Sequence, residues 1–162
     1  MNKLFSLLFI LLLLSCSTDS KPESSCYSQA DPPRNNQKVT INQGVWGDVW
    51  FWSGDFMPGG RGKICPVKRK VYVYEWTTSS DVEKIGFTSF FSAVNTNLVA
   101  IAESDNEGFF QTELEPGIYS LFVKEDGIFY SNLLNSNVIF PVNIDVNKVS
   151  EVRFDITYKA SF

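Results

Sequence analysis

The C-terminal part of the chain alternates apolar and polar side chains with a period of two. The pattern is clearest in eight consecutive residues, four apolar and four polar: Val152, Phe154, Ile156 and Tyr158 alternate with Arg153, Asp155, Thr157 and Lys159. In a β-strand, successive side chains point to opposite faces, so this period puts one face on a core and the other in water. An amphipathic helix would need a period near 3.6. The segment therefore predicts a half-buried strand, and a sheet for it to join.

Similar segments recur from residue 43 onward, separated by Gly, Pro, Asn and Asp, the residues typical of turns. We predict strands at 44–53, 70–77, 97–104, 108–114, 117–125, 128–131 and 148–159, with a weaker candidate at 138–145. Seven short strands are typical of a β-sandwich. A length of 162 residues with 44% apolar residues suits one packed core rather than two. The expected fold is a single all-β domain over residues 43–162.

The N-terminus has the organisation of an export signal. Lys3 precedes an apolar run at 4–14, which as a helix would span about 16 Å, about half of the hydrocarbon core of a bilayer. The following residues, Leu-Leu-Ser-Cys at 13–16, resemble the bacterial lipobox, in which the cysteine receives the lipid and becomes the new N-terminus. We predict a lipoprotein signal peptide at 1–15 and lipid attachment, including palmitate, at Cys16. The alternative is an ordinary secretory peptide with an incidental cysteine.

Residues 17–42 are polar, contain three prolines and have few large apolar side chains. Such a stretch buries too little to offset its ordering entropy, so residues 16–42 are expected to be the lipidated cysteine and a flexible tether. Cys26 and Cys65 are the other two cysteines. Because an exported protein enters an oxidising compartment, we predict a disulfide between them, with two free thiols as the alternative.

The charge and composition disfavour several functions. A formal net charge of −4 argues against a nucleic-acid partner. The chain has no histidine, which removes the commonest general base and the commonest zinc ligand. The carboxylate pairs Glu113 with Glu115 and Asp145 with Glu151 occur in exposed strand and turn contexts, and no Gly-x-Ser-x-Gly motif is present. We therefore predict that the protein is not an enzyme, with no catalytic residues and no cofactor.

Two turn motifs lie in the middle of the chain. Residues 104–110 read Ser-Asp-Asn-Glu-Gly-Phe-Phe and residues 114–123 read Leu-Glu-Pro-Gly-Ile-Tyr-Ser-Leu-Phe-Val. Asp105 can bind the backbone of its own turn, Gly108 can adopt a positive φ, and Phe110 is expected to point inward. The pattern Asp-x-x-Gly-x-Phe followed by Pro-Gly-x-Tyr-x-Leu-x-Val resembles the carboxypeptidase regulatory-like domain, and residues 44–49 are similar to that family's first strand.

The resemblance implies a seven-stranded Greek-key sandwich of transthyretin-like type, with a carbohydrate-binding-like fold. In this family the domain is an accessory module, found beside peptidases, on outer-membrane receptors or alone on lipoproteins of Bacteroidetes-like bacteria. The fold alone does not establish sugar binding.

Aromatic residues occupy alternate positions of the first two predicted strands. Seven residues form the candidate ligand platform: Trp46, Asp48, Trp50 and Trp52, followed by Tyr72, Tyr74 and Trp76. If the two strands are neighbours, sugar rings can stack on the aromatic faces while Asp48 accepts hydrogen bonds from hydroxyl groups. The alternative is that these side chains form part of the core, because large aromatics dominate such interiors.

A second candidate site is the segment 54–70, with four glycines, two prolines and five basic residues: Arg61, Lys63, Lys68, Arg69 and Lys70. The composition of this segment predicts a mobile, positively charged loop. The loop can contact an anionic sugar, a lipopolysaccharide or an acidic partner. The alternative is a solvated surface loop with no ligand. Asp105, Asn106 and Glu107 raise a calcium alternative, but the further acidic ligands of an EF-hand loop are missing. We therefore predict a turn there and no metal site.

Together these features predict a non-enzymatic module held by its lipid at the outer membrane, on the periplasmic or the cell-surface face. Its expected partners are the membrane and a glycan, a peptide or an envelope protein. The alternative is a structural accessory subunit of an envelope complex that makes only protein–protein contacts.

Overall fold

The structure is a computed structural model that describes residues 26–28 and 31–162. The predicted signal peptide, Cys16 and residues 17–25 and 29–30 lie outside the described residues. One short 3-10 helix, η1 (Asn36–Lys38), precedes thirteen strands. The strands are β1 (Gly44–Asp55), β2 (Lys63–Pro66), β3 (Lys70–Glu75), β4 (Val82–Lys84), β5 (Phe90–Val94), β6 (Leu98–Glu103), β7 (Phe109–Thr112), β8 (Gly117–Glu125), β9 (Ile128–Tyr130), β10 (Leu134–Asn135), β11 (Val138–Ile139), β12 (Pro141–Ile144) and β13 (Val149–Ser161). The predicted all-β class is confirmed.

Each of the seven predicted strands corresponds to an observed one, and the weaker candidate at 138–145 is divided between β11 and β12. The described chain has thirteen strands rather than seven: β11 and β12 come from the weaker candidate, and β2, β4, β5 and β10 were not predicted. These four are two to five residues long. β2 lies in the glycine- and proline-rich segment 54–70, whose composition predicts a loop rather than a strand.

Strand β1 is at the centre of a four-stranded sheet, here called sheet A. β13 pairs with β1 in parallel, with Gly44 opposite Val149 and Phe51 opposite Ile156. On the other side, β7 pairs with residues 45–48 and β2 with residues 50–53, both antiparallel. The first and last strands of the domain are therefore neighbours.

The second sheet, sheet B, has seven strands in the order β4-β5-β9-β8-β3-β6, and β12 pairs with the first half of β8. β6 is the last strand at one edge. A third, two-stranded sheet consists of β10 and β11. Its turn residues Ser136 and Asn137 both have positive φ, as a two-residue hairpin turn requires.

The core lies between sheets A and B in a sandwich-like arrangement. Eight fully buried side chains come from the centres of the two sheets: Val45, Val49, Phe154 and Ile156 from sheet A, and Val71, Val73, Leu121 and Val123 from sheet B. The rings of Phe140 and Phe154 stack with centroids 4.7 Å apart. Burial of these alternate positions explains the period of two in the sequence.

Residues 31–43, here called the strap, lie against the domain. Pro32 and Asn35 are buried, and the backbone N–H of Thr40 donates to the side-chain oxygen of Gln111. This part of the chain differs from the flexible tether that its composition predicts. The reason is that its polar side chains find hydrogen-bond partners on sheet A, a gain that composition does not reveal.

Ahead of the strap, Cys26 and Cys65 are paired at disulfide distance, with an S–S separation of 2.07 Å, as predicted. Tyr27 and Ile64 exchange two backbone hydrogen bonds of 2.8 Å beside this pair. The chain is thus attached to β2 before the strap begins. Among residues 26–28 and 31–162, no helix is long and apolar enough to cross a membrane.

Candidate functional site

The first half of the predicted platform is covered. Trp46, Asp48 and Trp50 lie on the face of β1 opposite the core residues Val45 and Val49, yet they are only 6%, 4% and 3% exposed. The ring of Trp50 meets that of Tyr27 edge-on, with centroids 5.8 Å apart. The strap and Tyr27 therefore occupy the surface on which a sugar would have to stack.

Asp48 is bound by the strap rather than free to accept a ligand. The side-chain amide of Asn35 donates to Asp48 Oδ1 at 2.6 Å, and the Asn35 backbone N–H donates to Oδ2 at 3.3 Å. Burial raises the pKa of Asp48, the Asn35 hydrogen bonds oppose that rise, and the charges of Asp105 and Glu151 add to it. Both carboxylate oxygens thus hold the strap in place.

The other platform residues lie elsewhere. β1 and β3 belong to different sheets, so the expectation that these two strands are neighbours is wrong. The residues between them form β2, which returns along β1 before the chain enters sheet B. Tyr72 and Tyr74 pack against the ring of Phe129, and Trp76, beyond the end of β3, is 56% exposed.

Trp52 has a different environment from Trp46 and Trp50. Its indole N–H donates to Asp155 Oδ1 at 2.8 Å, and the guanidinium of Arg153 lies over its ring at 5.4 Å. It is half-buried beside Phe56, with ring centroids 4.8 Å apart. The seven predicted platform residues therefore do not form one continuous aromatic surface.

The predicted basic loop is partly strand. Lys63 lies in β2 and Lys70 begins β3, so the segment 54–70 is divided by paired backbone. Lys68 contacts Glu103 at 3.1 Å, and Arg69 contacts Glu125 at 2.5 Å. These ion pairs neutralise two of the five predicted charges. Arg61, Lys63 and Lys70 are exposed.

Arg69 belongs to a polar cluster that the sequence did not reveal. Glu125, whose side chain is 5% exposed, accepts hydrogen bonds from Arg69 and from the hydroxyl of Tyr158 at 3.0 Å. Burial, followed by the neighbouring Glu125 carboxylate, raises the pKa of Tyr158 to about 12. Because Glu125 is in β8 and Tyr158 in β13, the cluster links the two sheets.

The turn at residues 104–110 has the predicted chemistry. Asp105 Oδ1 accepts hydrogen bonds from the backbone N–H groups of Glu107 and Phe109, at 2.8 and 3.1 Å. Gly108 has a φ of +83°, and Phe110 is buried. Lys38 of the strap contacts Asp105 at 2.7 Å and Glu107 at 2.6 Å. The carboxylates weighed as calcium ligands are thus used by the turn and the strap.

A concave surface beside β6 was also missed in the sequence. A groove of about 520 Å³ lies beside β6, between the end of the strap and the segment that follows β7. Its walls include strap residues 40–43, Val99 and Ala100 of β6, residues 113–115, and Tyr119 of β8. Glu113 and Glu115 are exposed at this groove, whereas Leu114 is buried.

β6 borders this groove with apolar side chains in solvent. Leu98, Val99 and Ile101 are 46%, 45% and 51% exposed. An edge strand normally carries charge, a proline or a cover that prevents pairing with another chain. Here the first five residues, Leu-Val-Ala-Ile-Ala, are apolar, and the only charge is Glu103 at the end. This surface is a candidate for contact with a partner.

No group of three or more His, Cys, Asp and Glu side chains within the part of the chain that the structure describes is placed to hold a metal ion. A scan against protein-family models and searches of curated proteins and of solved structures find no match to this chain.

Proposed function

We propose that the protein is a non-catalytic binding module of the bacterial cell envelope, held by a lipid on Cys16 at the outer membrane, on its periplasmic or cell-surface face. Its fold is proposed to be the Greek-key, transthyretin-like sandwich of the carboxypeptidase regulatory-like domain. The support for that family is the pair of motifs at 104–110 and 114–123, together with the Asp105 and Gly108 turn geometry. The support for the anchor is the lipobox-like sequence at 13–16.

The observation that carries the proposed binding role is the apolar edge of sheet B at β6, beside the 520 Å³ groove. Exposed apolar surface next to a concave site is typical of a contact surface for another molecule. A polypeptide is favoured over a glycan as the ligand. The aromatic residues expected to stack on sugars are divided between two sheets, and Trp46 and Trp50 are buried on the face of β1 that the strap and Tyr27 cover.

The binding role is tested by photo-cross-linking in intact cells. A photoreactive amino acid at Val99, on the groove, is compared with one at Ile128, which is exposed on β9 and lines no part of the groove. We expect a cross-linked protein adduct from position 99 and none from position 128. Equal adducts at both positions, or none at 99, would contradict the proposal.

The anchor is tested separately with radioactive palmitate. The unaltered protein is expected to take up label, and a Cys16→Ala variant is not. Label retained by that variant would place the lipid elsewhere or show a different form of attachment.

A further inference from the structure

We infer that the partner of this module is an extended polypeptide segment with alternating apolar and basic side chains, which adds to sheet B as a strand beside β6. The inference rests on the proposed binding function and names the ligand class for its groove. Three independent features of β6 and its surroundings carry it: unpaired main-chain groups, exposed apolar side chains, and a groove wall that carries only negative charge.

The main chain of β6 is arranged to receive another strand. Among the described residues, β6 pairs with β3 alone, with Val71 opposite Ala102 and Val73 opposite Ala100. The Ser104 N–H donates to the Arg69 carbonyl at 2.8 Å, so Ser104 and Arg69 are a hydrogen-bonded pair of the antiparallel ladder. Alternation along that ladder directs the N–H and C=O groups of Ile101 and Glu103 away from β3. Unpaired groups in this spacing match the main chain of an extended peptide.

The side chains of β6 favour an apolar contact. Val99 and Ile101 are about half exposed, as is Leu98 at the start of the strand. A strand that pairs with β6 would bring its own alternate side chains next to these residues, at the short separations typical of cross-strand pairs. Burial of the exposed aliphatic surface would then favour binding.

The charges beside β6 favour a basic partner. Among the described residues, Glu113 and Glu115 are the only charged ones that line the groove. Both are exposed, and no lysine or arginine is among the lining residues. A partner with basic side chains at every second position would place them against these carboxylates. Complementary charge of this kind gives specificity and raises the association rate.

A second copy of the chain fits this site less well. Pairing of two β6 strands would bring two acidic groove walls toward each other, because each copy carries Glu113 and Glu115 beside the edge. Like charges at an interface disfavour association. We therefore assign the site to a basic segment of another polypeptide.

The test uses a short synthetic peptide of alternating valine and lysine, and a matched peptide with glutamate in place of lysine. Binding is followed by NMR of the isotope-labelled protein. We expect amide shifts confined to residues 98–103 and 113–115, and slower hydrogen exchange at Ile101 and Glu103. The glutamate peptide should bind at least about tenfold more weakly.

Two sets of variants locate the site. Ile101→Lys places a positive charge on the open edge and should weaken binding of the lysine peptide by about tenfold, whereas the control Ile128→Lys, on β9, should leave it unchanged. The combined Glu113→Gln and Glu115→Gln changes are at exposed positions and test the charge contribution without altering the strand. They should weaken binding several-fold and reduce its dependence on salt.

Equal affinity for both peptides, amide shifts away from β6, or a β6-mediated dimer that Ile101→Lys dissociates would overturn the inference. A cellular cross-link at Val99 without peptide binding would overturn the strand inference and leave the proposed function standing. Peptide binding at β6 without any cellular cross-link would support the strand chemistry and contradict the proposed function in the envelope.

Discussion

The outer face of β1 and the edge strand β6 differ in a way that their sequences do not predict: the first is covered by other residues of the chain and the second is exposed to solvent. The face of β1 carries Trp46 and Trp50, the kind of residues that usually suggest a ligand site, and it is covered by the strap and Tyr27. β6 has an ordinary aliphatic sequence, and it is open to solvent. Side-chain type alone therefore did not indicate which surface is free, because the deciding factor was what the rest of the chain covers.

The largest expected effect tests whether the closed face is part of the packed domain. Trp50→Ala should lower the free energy of unfolding by about 3–5 kcal/mol, because Trp50 is buried against Tyr27. Val99→Ala, on the open edge, should change it by less than about 0.5 kcal/mol. Urea denaturation measures both, and similar losses for the two variants would remove the contrast between the surfaces.

Removal of the Cys26–Cys65 disulfide should have the next largest effect on the free energy of unfolding. Replacing Cys26 and Cys65 together by serine opens a closed loop with a sequence separation of 39 residues. In the chain-entropy account, the loss of such a link lowers the free energy of unfolding by about 2–4 kcal/mol. Thermal unfolding of the serine variant and of the oxidised protein gives the comparison, and identical midpoints would show that the link contributes nothing.

The hydrogen bonds from the strap to Asp48 are tested by Asn35→Ala. The variant removes the side-chain donor to a buried carboxylate, so the free energy of unfolding should fall by about 1.5–3 kcal/mol. Asn42→Ala provides the matched control, since Asn42 is an exposed residue of the same strap. If the two variants unfold at the same urea concentration, the Asn35 contact does not hold the strap.

The pKa values of two carboxylates beside the strap, Asp48 and Asp105, are shifted in opposite directions from the usual aspartate value of 3.8. Burial raises the pKa of Asp48. At Asp105, burial acts in the same direction, but hydrogen bonds from Lys38 and from backbone N–H groups bring the net pKa below the usual value. NMR titration of the side-chain carboxyl carbons measures both, and a Lys38→Met variant should raise the Asp105 midpoint.

These two shifts have opposite consequences for stability. The contribution of Asp48 is fully present below pH 3.8 and is lost as the pH rises through its raised folded pKa. The contribution of Asp105 is present above pH 3.8 and is lost as the pH falls through its lowered folded pKa. An Asp48 midpoint below that of Asp105 would contradict at least one of the two assignments.

The smallest expected effect on the free energy of unfolding is that of a substitution in the edge strand β6. Ile101→Lys should change the free energy of unfolding by no more than about 0.5 kcal/mol, because Ile101 is half exposed. A loss of several kcal/mol in urea denaturation would mean that β6 is covered in the free protein. A small value confirms that the variant is a fair probe of ligand binding.

The parts of the fold that depend on local chemistry were predictable. Alternation between residues 152 and 159 indicated the long last strand, and the Asp105 and Gly108 pattern indicated a tight turn before β7. These features need only neighbouring residues, so the sequence contains them directly.

The remaining features depend on residues far apart in the chain. β2 forms in a glycine- and proline-rich segment because β1 offers it a partner, and Asn35 is ordered by hydrogen bonds to Asp48 and to the Glu107 carbonyl. Likewise, the apolar sequence of β6 does not reveal that β6 is an edge strand. Such information comes from the order of strands in the sheet, which a period of two does not determine.

The Cys26–Cys65 pair also decides how a mechanical load would enter the domain. A pull on the N-terminus reaches Cys65 in β2 through the sulfur bridge, and the segment from residue 27 to residue 64 lies inside the covalent loop. The strap and the whole of β1 are thereby relieved of tension. Under such a force the resisting element is the pairing of β2 with β1, so the contacts around Asp48 would survive a pull on the N-terminus.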